Sequence, residues 1–157
     1  MNQDINNSIG TTNASKAYIE NIKDKIIDKQ ARNLFDHLKW IKLEGISRDN
    51  SDLFPLLFIG TGKRVLLLHG FDSCFLEYRR LIPFLKKKNK LIIPDLYGFG
   101  FCPRSSGNQY GFQFLIKHLN AVLNYFSENQ SIGLIGASMG GALALELARQ
   151  NPKKINK

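Results

Sequence analysis

The stretch Gly136-Ala137-Ser138-Met139-Gly140-Gly141, GASMGG, stands between the apolar run SIGLI (131–135) and the Ala/Leu-rich run ALALELA (142–148). A short apolar run bounded by glycine reads as a buried strand, and the segment after the glycines reads as a helix. G-x-S-x-G between a strand and a helix is the pattern of a serine held on a tight turn, its hydroxyl projecting clear of the sheet. Side chains at Gly136 and Gly140 would collide with neighbouring backbone, so both positions must be small. Ala137 and Gly141 extend the same smallness. The helix opening at Ser138 aims free N–H groups at the turn, and that of Met139 is placed to stabilise an oxyanion.

Working outward, the same alternation recurs. LLFIG (56–60) reads as a strand, TGK (61–63) as a turn, and RVLLLHG (64–70) as a strand buried on both faces. FLEYRRLIPFLKKK (75–88) reads as a helix, KLIIPD (90–95) as a further buried strand, and YGFQFLIKHLNAVLNYF (110–126) as a helix. Strand and helix in alternation predict a parallel α/β sheet covered on both faces. Functional groups in such sheets gather beyond the carboxyl ends of the strands. Three loops meet that condition: HGFDS (69–73), DLYGFGFCPR (95–104) and GASMGG.

Before the sheet, residues 14–38 place Ile19, Ile22 and Ile26 at helical spacing, which predicts one amphipathic helix packed on the body of the domain. A polar start precedes it and the loop EGISRDNSD (44–52) follows. The expected division is 1–48 for the polar N-terminus and its helix, and 49–157 for the α/β domain.

Composition removes several classes. The 157 residues are 43% apolar, which suits a globular domain, and the apolar runs are too short to span a bilayer. The N-terminus has no apolar signal segment, and the two cysteines, Cys74 and Cys102, have no metal or redox spacing. A cytoplasmic location with free thiols is therefore expected, with neither metal nor cofactor. The net charge of +9 divides into 8 basic and 6 acidic residues over 1–48, and 14 and 7 over 49–157. Much of the excess lies in KKKNK (86–90) and at Lys153, Lys154 and Lys157. No nucleic-acid motif accompanies these lysines, and no nucleic-acid partner is expected. GTGKR (60–64) lacks the spacing of a phosphate loop and leads into a strand. GFGFCP (98–103) lacks the third glycine of a dinucleotide fingerprint and carries Pro103 where a helix should run.

The order LLLHGFD, IIPDLYGFGFCPR, LIGASMGGALALELA resembles the N-terminal half of a protein of the α/β-hydrolase fold, serine-nucleophile branch, over residues 56–151. The resemblance implies a partial α/β-hydrolase fold, a mostly parallel sheet covered by helices with an extra N-terminal helix. It also implies Ser138 as nucleophile and the backbone N–H groups of Phe71 and Met139 as oxyanion hole. Gly70 lets the backbone turn, Gly136 and Gly140 shape the serine turn, and Asp95 with Gly98 and Gly100 shapes the loop after the preceding strand. His69 is expected to be structural, and Cys102 a small loop residue. A serine at 138, rather than the aspartate of related dehalogenases and epoxide hydrolases, implies acyl transfer on an ester, thioester or amide.

A serine nucleophile needs a base, and the base an orienting carboxylate; in this family both follow the serine in the chain. After Ser138 the sequence holds one acid, Glu146, about 12 Å away along the helix axis, and no histidine. His37, His69 and His118 all precede it. The expectation is a chain that is incomplete as a catalyst. Three alternatives stay open: half of a split or truncated gene, a chain completed by a second one, or an inactive remnant or ligand-binding pseudo-enzyme. The expected partners are a small ester-like molecule and, where the fold is completed in trans, that second chain. The strand before Ser138 would then present an open apolar edge.

Overall fold

Five strands form one sheet in the order β1-β2-β4-β3-β5 in the computed structural model, which describes residues 11–46, 52–104, 110–127 and 130–156. They are β1 (Leu38–Lys42), β2 (Leu53–Gly60), β3 (Lys63–Leu68), β4 (Asn89–Pro94) and β5 (Gly133–Gly136). β3 pairs in parallel with β4 and with β5, whereas β2 is antiparallel to both β1 and β4. Four strands thus run one way and only β2 opposes them, a mostly parallel sheet.

Side-chain alternation along the strands builds two cores. Leu66 and Leu68 face one side, with Leu115, Leu119 and Leu123 of α4 (Phe112–Phe126) and Leu143 and Leu147 of α5 (Met139–Gln150). Leu67 faces the other, with Phe75, Tyr78 and Ile82 from the β3–β4 connection and with Ile19 and Leu34. Helices therefore cover both faces. The β3–β4 connection leaves over one face and the β4–β5 connection, carrying α4, over the other. Strand order reverses at β3, so the crevice that this topology favours for ligands opens at the carboxyl end of that strand.

Three local expectations are corrected. The single helix predicted over 14–38 is two: α1 (Thr12–Ile22) and α2 (Lys29–Leu34), separated by a 3-10 turn (Lys23–Lys25) and extended residues. Asp28 causes the second start, its carboxylate accepting the N–H groups of Gln30 and Ala31 as an N-cap. Strand β1 is not foreseen in the sequence and begins at Leu38, where the predicted helix ends. The helix predicted over 75–88 is a 3-10 segment (Phe75–Arg80) followed by the four-residue α3 (Ile82–Leu85). Pro83 lacks an N–H and would press on the carbonyl four residues back, so no α-helix runs unbroken through it.

The far edge of β5 is partly paired. Ile132 bridges Ile155 in parallel, with the Ile132 N–H donating to Lys154 O at 2.8 Å and the Asn156 N–H to Ile132 O at 3.0 Å. The polar start through residue 10 and most of the 44–52 loop lie outside the described residues.

Candidate active site at the carboxyl ends of β3 and β5

Ser138 ends the turn between β5 and α5 with φ 51° and ψ −118°, a left-handed conformation rare for a residue with a side chain. The packing around it explains how the turn is held. A Cβ on Gly136 would lie 2.3 Å from Gly140 O, and one on Gly140 would lie 2.0 Å from Leu68 O. The turn is folded onto itself and pressed against the end of β3. Gly141 differs from the expectation: a Cβ there would meet Gly136 O at an ordinary 3.5 Å, so its smallness is not required. Ser138 is exposed, and its side chain makes no cap bond to its own helix.

The end of β3 is clamped to this turn through one carbonyl. Leu68 O accepts the Ala137 N–H at 3.0 Å and the buried Tyr78 hydroxyl at 2.6 Å. The next loop, His69-Gly70-Phe71, runs beside the serine: a Cβ on Gly70 would sit 3.5 Å from Ser138 Cβ. Its backbone is fixed by Glu77, whose carboxylate accepts the Gly70 N–H at 2.8 Å. Among the described residues no acceptor is found for the N–H of Phe71 or of Met139.

His69 is fully buried and engaged at both ring nitrogens. Leu96 N–H donates to Nε2 at 2.9 Å, which leaves the proton on Nδ1, 2.8 Å from Gly70 O. Burial lowers its pKa, so the ring is neutral and ties β3 to the loop after β4. Phe71, 72% exposed, stacks edge-on against Phe99, which in turn meets the His69 ring.

Asp95 organises that loop from inside. Its Oδ1 accepts Phe75 N–H and its Oδ2 accepts Phe101 N–H, both at 2.6 Å, and the Cys102 thiol donates to its carbonyl. Burial pushes the Asp95 carboxyl up to about 7 against the pull of those two N–H groups. A Cβ on Gly100 would lie 2.3 Å from Asp95 Oδ2, so the loop closes tightly over the carboxylate. Cys102 is buried with its thiol held well above the ordinary range, and burial pushes Cys74 up to about 12. Neither is a thiolate nucleophile.

The remaining ionisable candidates do not join this cluster. Glu146 is bound by Arg149 at 2.7 and 2.8 Å and by Gln150, bonds that draw its pKa down to about 2. His118 is fully buried against Phe54 and Tyr97, its pKa lowered by burial to about 3, with no hydrogen-bond partner on either nitrogen among the described residues. His37 is exposed in a 3-10 turn just ahead of β1. No group of three or more metal-binding side chains occurs among the described residues, and none of their helices is long and apolar enough to cross a membrane. A cavity of about 620 Å³ lies between the end of β1 and α4 and is lined by none of these residues. Sequence reasoning missed Glu77 and Tyr78, whose spacing in FLEYRR gives no sign that one fixes a loop and the other a carbonyl.

A family model described as alpha/beta hydrolase fold matches residues 63–157. The 2-hydroxy-6-oxo-2,4-heptadienoate hydrolase of Pseudomonas putida is 33% identical over 102 residues, 63% of this chain and 37% of that protein. Lipase 1 of Psychrobacter immobilis is 30% identical over 149 residues, 94% of this chain and 45% of the lipase. The solved meta-cleavage product hydrolase of Pseudomonas fluorescens superimposes with TM-score 0.66 at 27% identity, covering 76% of this chain and 42% of that one. The chain spans less than half the length of these proteins.

Proposed function

Because the chain belongs to the alpha/beta hydrolase fold family, we propose that it carries the nucleophile half of a serine hydrolase site, transferring an acyl group to water through an ester on Ser138. The observation that carries this reading is the φ of 51° at Ser138, held between Gly136 and Gly140 where no Cβ fits. Such strain costs about 1–3 kcal/mol and persists where the surroundings over-determine it, commonly at functional sites.

In this mechanism Ser138 Oγ attacks the carbonyl carbon of an ester, thioester or amide, and its proton leaves with the alcohol, thiol or amine. The developing oxyanion takes hydrogen bonds from the N–H groups of Phe71 and Met139, an arrangement worth about 3 kcal/mol per donor in related chemistry. Water then cleaves the acyl-serine, releasing the acid and restoring the hydroxyl. Glu77 holds Gly70, and so the Phe71 N–H, in position. His69 serves as a cross-link rather than a base, because both its nitrogens are spoken for. The mechanism also requires a general base and an orienting carboxylate, and no histidine among the described residues stands free beside Ser138 to be that base.

Treatment with a fluorophosphonate probe tests the reading on the chain alone and on the chain with any segment or partner that completes the fold. Labelling at Ser138 that Ser138→Ala abolishes is the expected result. A completed, folded protein that never labels removes the enzyme reading. Binding without turnover is the second reading, favoured by the absence of an available histidine beside Ser138 among the described residues. It requires saturable ligand binding that survives Ser138→Ala.

A further inference from the structure

The opposite end of the same sheet carries a second surface, one that owes nothing to the serine turn. Residues 53–71 and 78–94 contain eight lysines and arginines and no aspartate or glutamate. The sheet brings these segments together: Lys63 lies opposite Asn89 and Arg64 opposite Lys90. The Gly60–Gly62 turn rests on the backbone of Lys86 and Lys88, with the Thr61 N–H donating to Lys86 O at 3.3 Å. Three of the eight cations have local partners. Arg79 pairs with Asp28, Arg64 donates to Phe126 O, and Lys90 lies 4.4 Å over the Phe58 ring. Arg80, Lys63, Lys86, Lys87 and Lys88 are exposed and make no ion pair among the described residues.

Among these cations stands an apolar pair. Phe84 is 77% exposed and Leu81 39%, one turn apart, with the Phe84 N–H donating to Leu81 O at 3.1 Å. Ile82 and Leu85 of the same turn already fill the inward face. Arg80 precedes this short turn and Lys86, Lys87 and Lys88 follow it directly in the chain. The result is an exposed aromatic side chain flanked along the chain by exposed cations that make no ion pair among the described residues.

We infer that the segment Arg80–Lys88, with Lys63, docks on an anionic phospholipid bilayer. Phe84 and Leu81 enter the interfacial layer while the lysines engage the head-group phosphates. Charge complementarity selects the partner, and the exposed pair at its centre selects a lipid surface over RNA: an interfacial anchor needs apolar side chains flanked by long basic ones. Base stacking would instead call for an aromatic platform within a basic groove. β3 runs from Lys63 to Leu68, so the Lys63 end of this surface lies about 17 Å from the serine turn.

Co-sedimentation of the full chain with phosphatidylcholine vesicles, with and without phosphatidylglycerol, tests the inference. Binding should require phosphatidylglycerol and weaken as salt rises. Replacing Lys86, Lys87 and Lys88 by Gln should lower affinity on the order of 100-fold, about fivefold per lysine. Phe84→Ser should lower it about tenfold, with an unfolding transition matching the parent. Phe84→Trp, in a Trp40→Phe background, should blue-shift its emission on anionic vesicles alone. Equal binding to pure phosphatidylcholine, indifference to both sets of substitutions, or binding of poly(U) RNA but not vesicles would each overturn it. Serine labelling does not enter these readouts, so this inference and the proposed function fail separately.

Discussion

Two neighbouring loops at the carboxyl end of the sheet are held in opposite ways. The β5–α5 turn is shaped by exclusion: glycine at 136 and 140 lets backbone lie where any Cβ would be 2.0–2.3 Å from a carbonyl oxygen. The loop after β4 is shaped by attraction, with one buried carboxylate collecting two backbone N–H groups at 2.6 Å. The first device has no ionisable part and should be indifferent to pH. The second rests on a titrating group and should not be.

Gly140→Ala makes the harshest test of the excluded-volume turn. Its Cβ would meet the Leu68 carbonyl, which already binds Ala137 N–H and the Tyr78 hydroxyl, so it cannot yield without releasing the clamp. A stability loss of about 3 kcal/mol or more in urea is expected, along with loss of any serine labelling that the parent shows. A variant unfolding like the parent would mean that the turn is not packed as described.

Asp95→Asn tests the attracting loop. An amide presents one acceptor where two N–H groups need one each, and a loss of about 2–3 kcal/mol is expected. The pH dependence gives the sharper reading. Because the folded carboxyl titrates near 7, above its unfolded value near 4, the folded state binds the proton more tightly. Its contribution is full below about pH 4, declines as pH rises, and is gone above about pH 7. His118 acts with the opposite sign: held at about 3 when folded, it costs stability as pH falls below its unfolded value near 6.5. The Asp95 slope is therefore read as the difference between parent and variant. A difference flat from pH 4 to 7 would show that the carboxylate is ionised throughout.

What was legible in the sequence follows the same division. Devices made of glycine announce themselves, because small residues at fixed offsets between apolar runs have few other reasons to exist, and GASMGG is legible that way. HGF is marked instead by its place at the end of a buried strand, since a Cβ on Gly70 would make only ordinary contacts. Asp95 was visible as the acid that ends a strand. Devices made of long polar side chains stayed hidden: Glu77 and Tyr78 sit in a segment that reads as an ordinary amphipathic helix, and only the fold brings them to Gly70 and Leu68. Strand β1 was hidden for another reason. Only Ile41 of its five residues is buried, so its alternation is too faint to separate it from the helical pattern before it.

The finest test separates adjacent glycines that the sequence treats alike. Gly140 and Gly141 both follow the serine, but only Gly140 faces the backbone of β3. At Gly141 the added Cβ makes contacts of 3.5 and 3.9 Å and φ is not positive, so alanine fits. The position lies inside α5, where alanine is favoured over glycine by about 0.5–1 kcal/mol, partly through the unfolded chain. Gly141→Ala should therefore raise stability by that amount and leave serine labelling intact, as its neighbour's substitution does the reverse. Destabilisation by both would mean that the turn extends one residue further into the helix, and that smallness at 141 is functional after all.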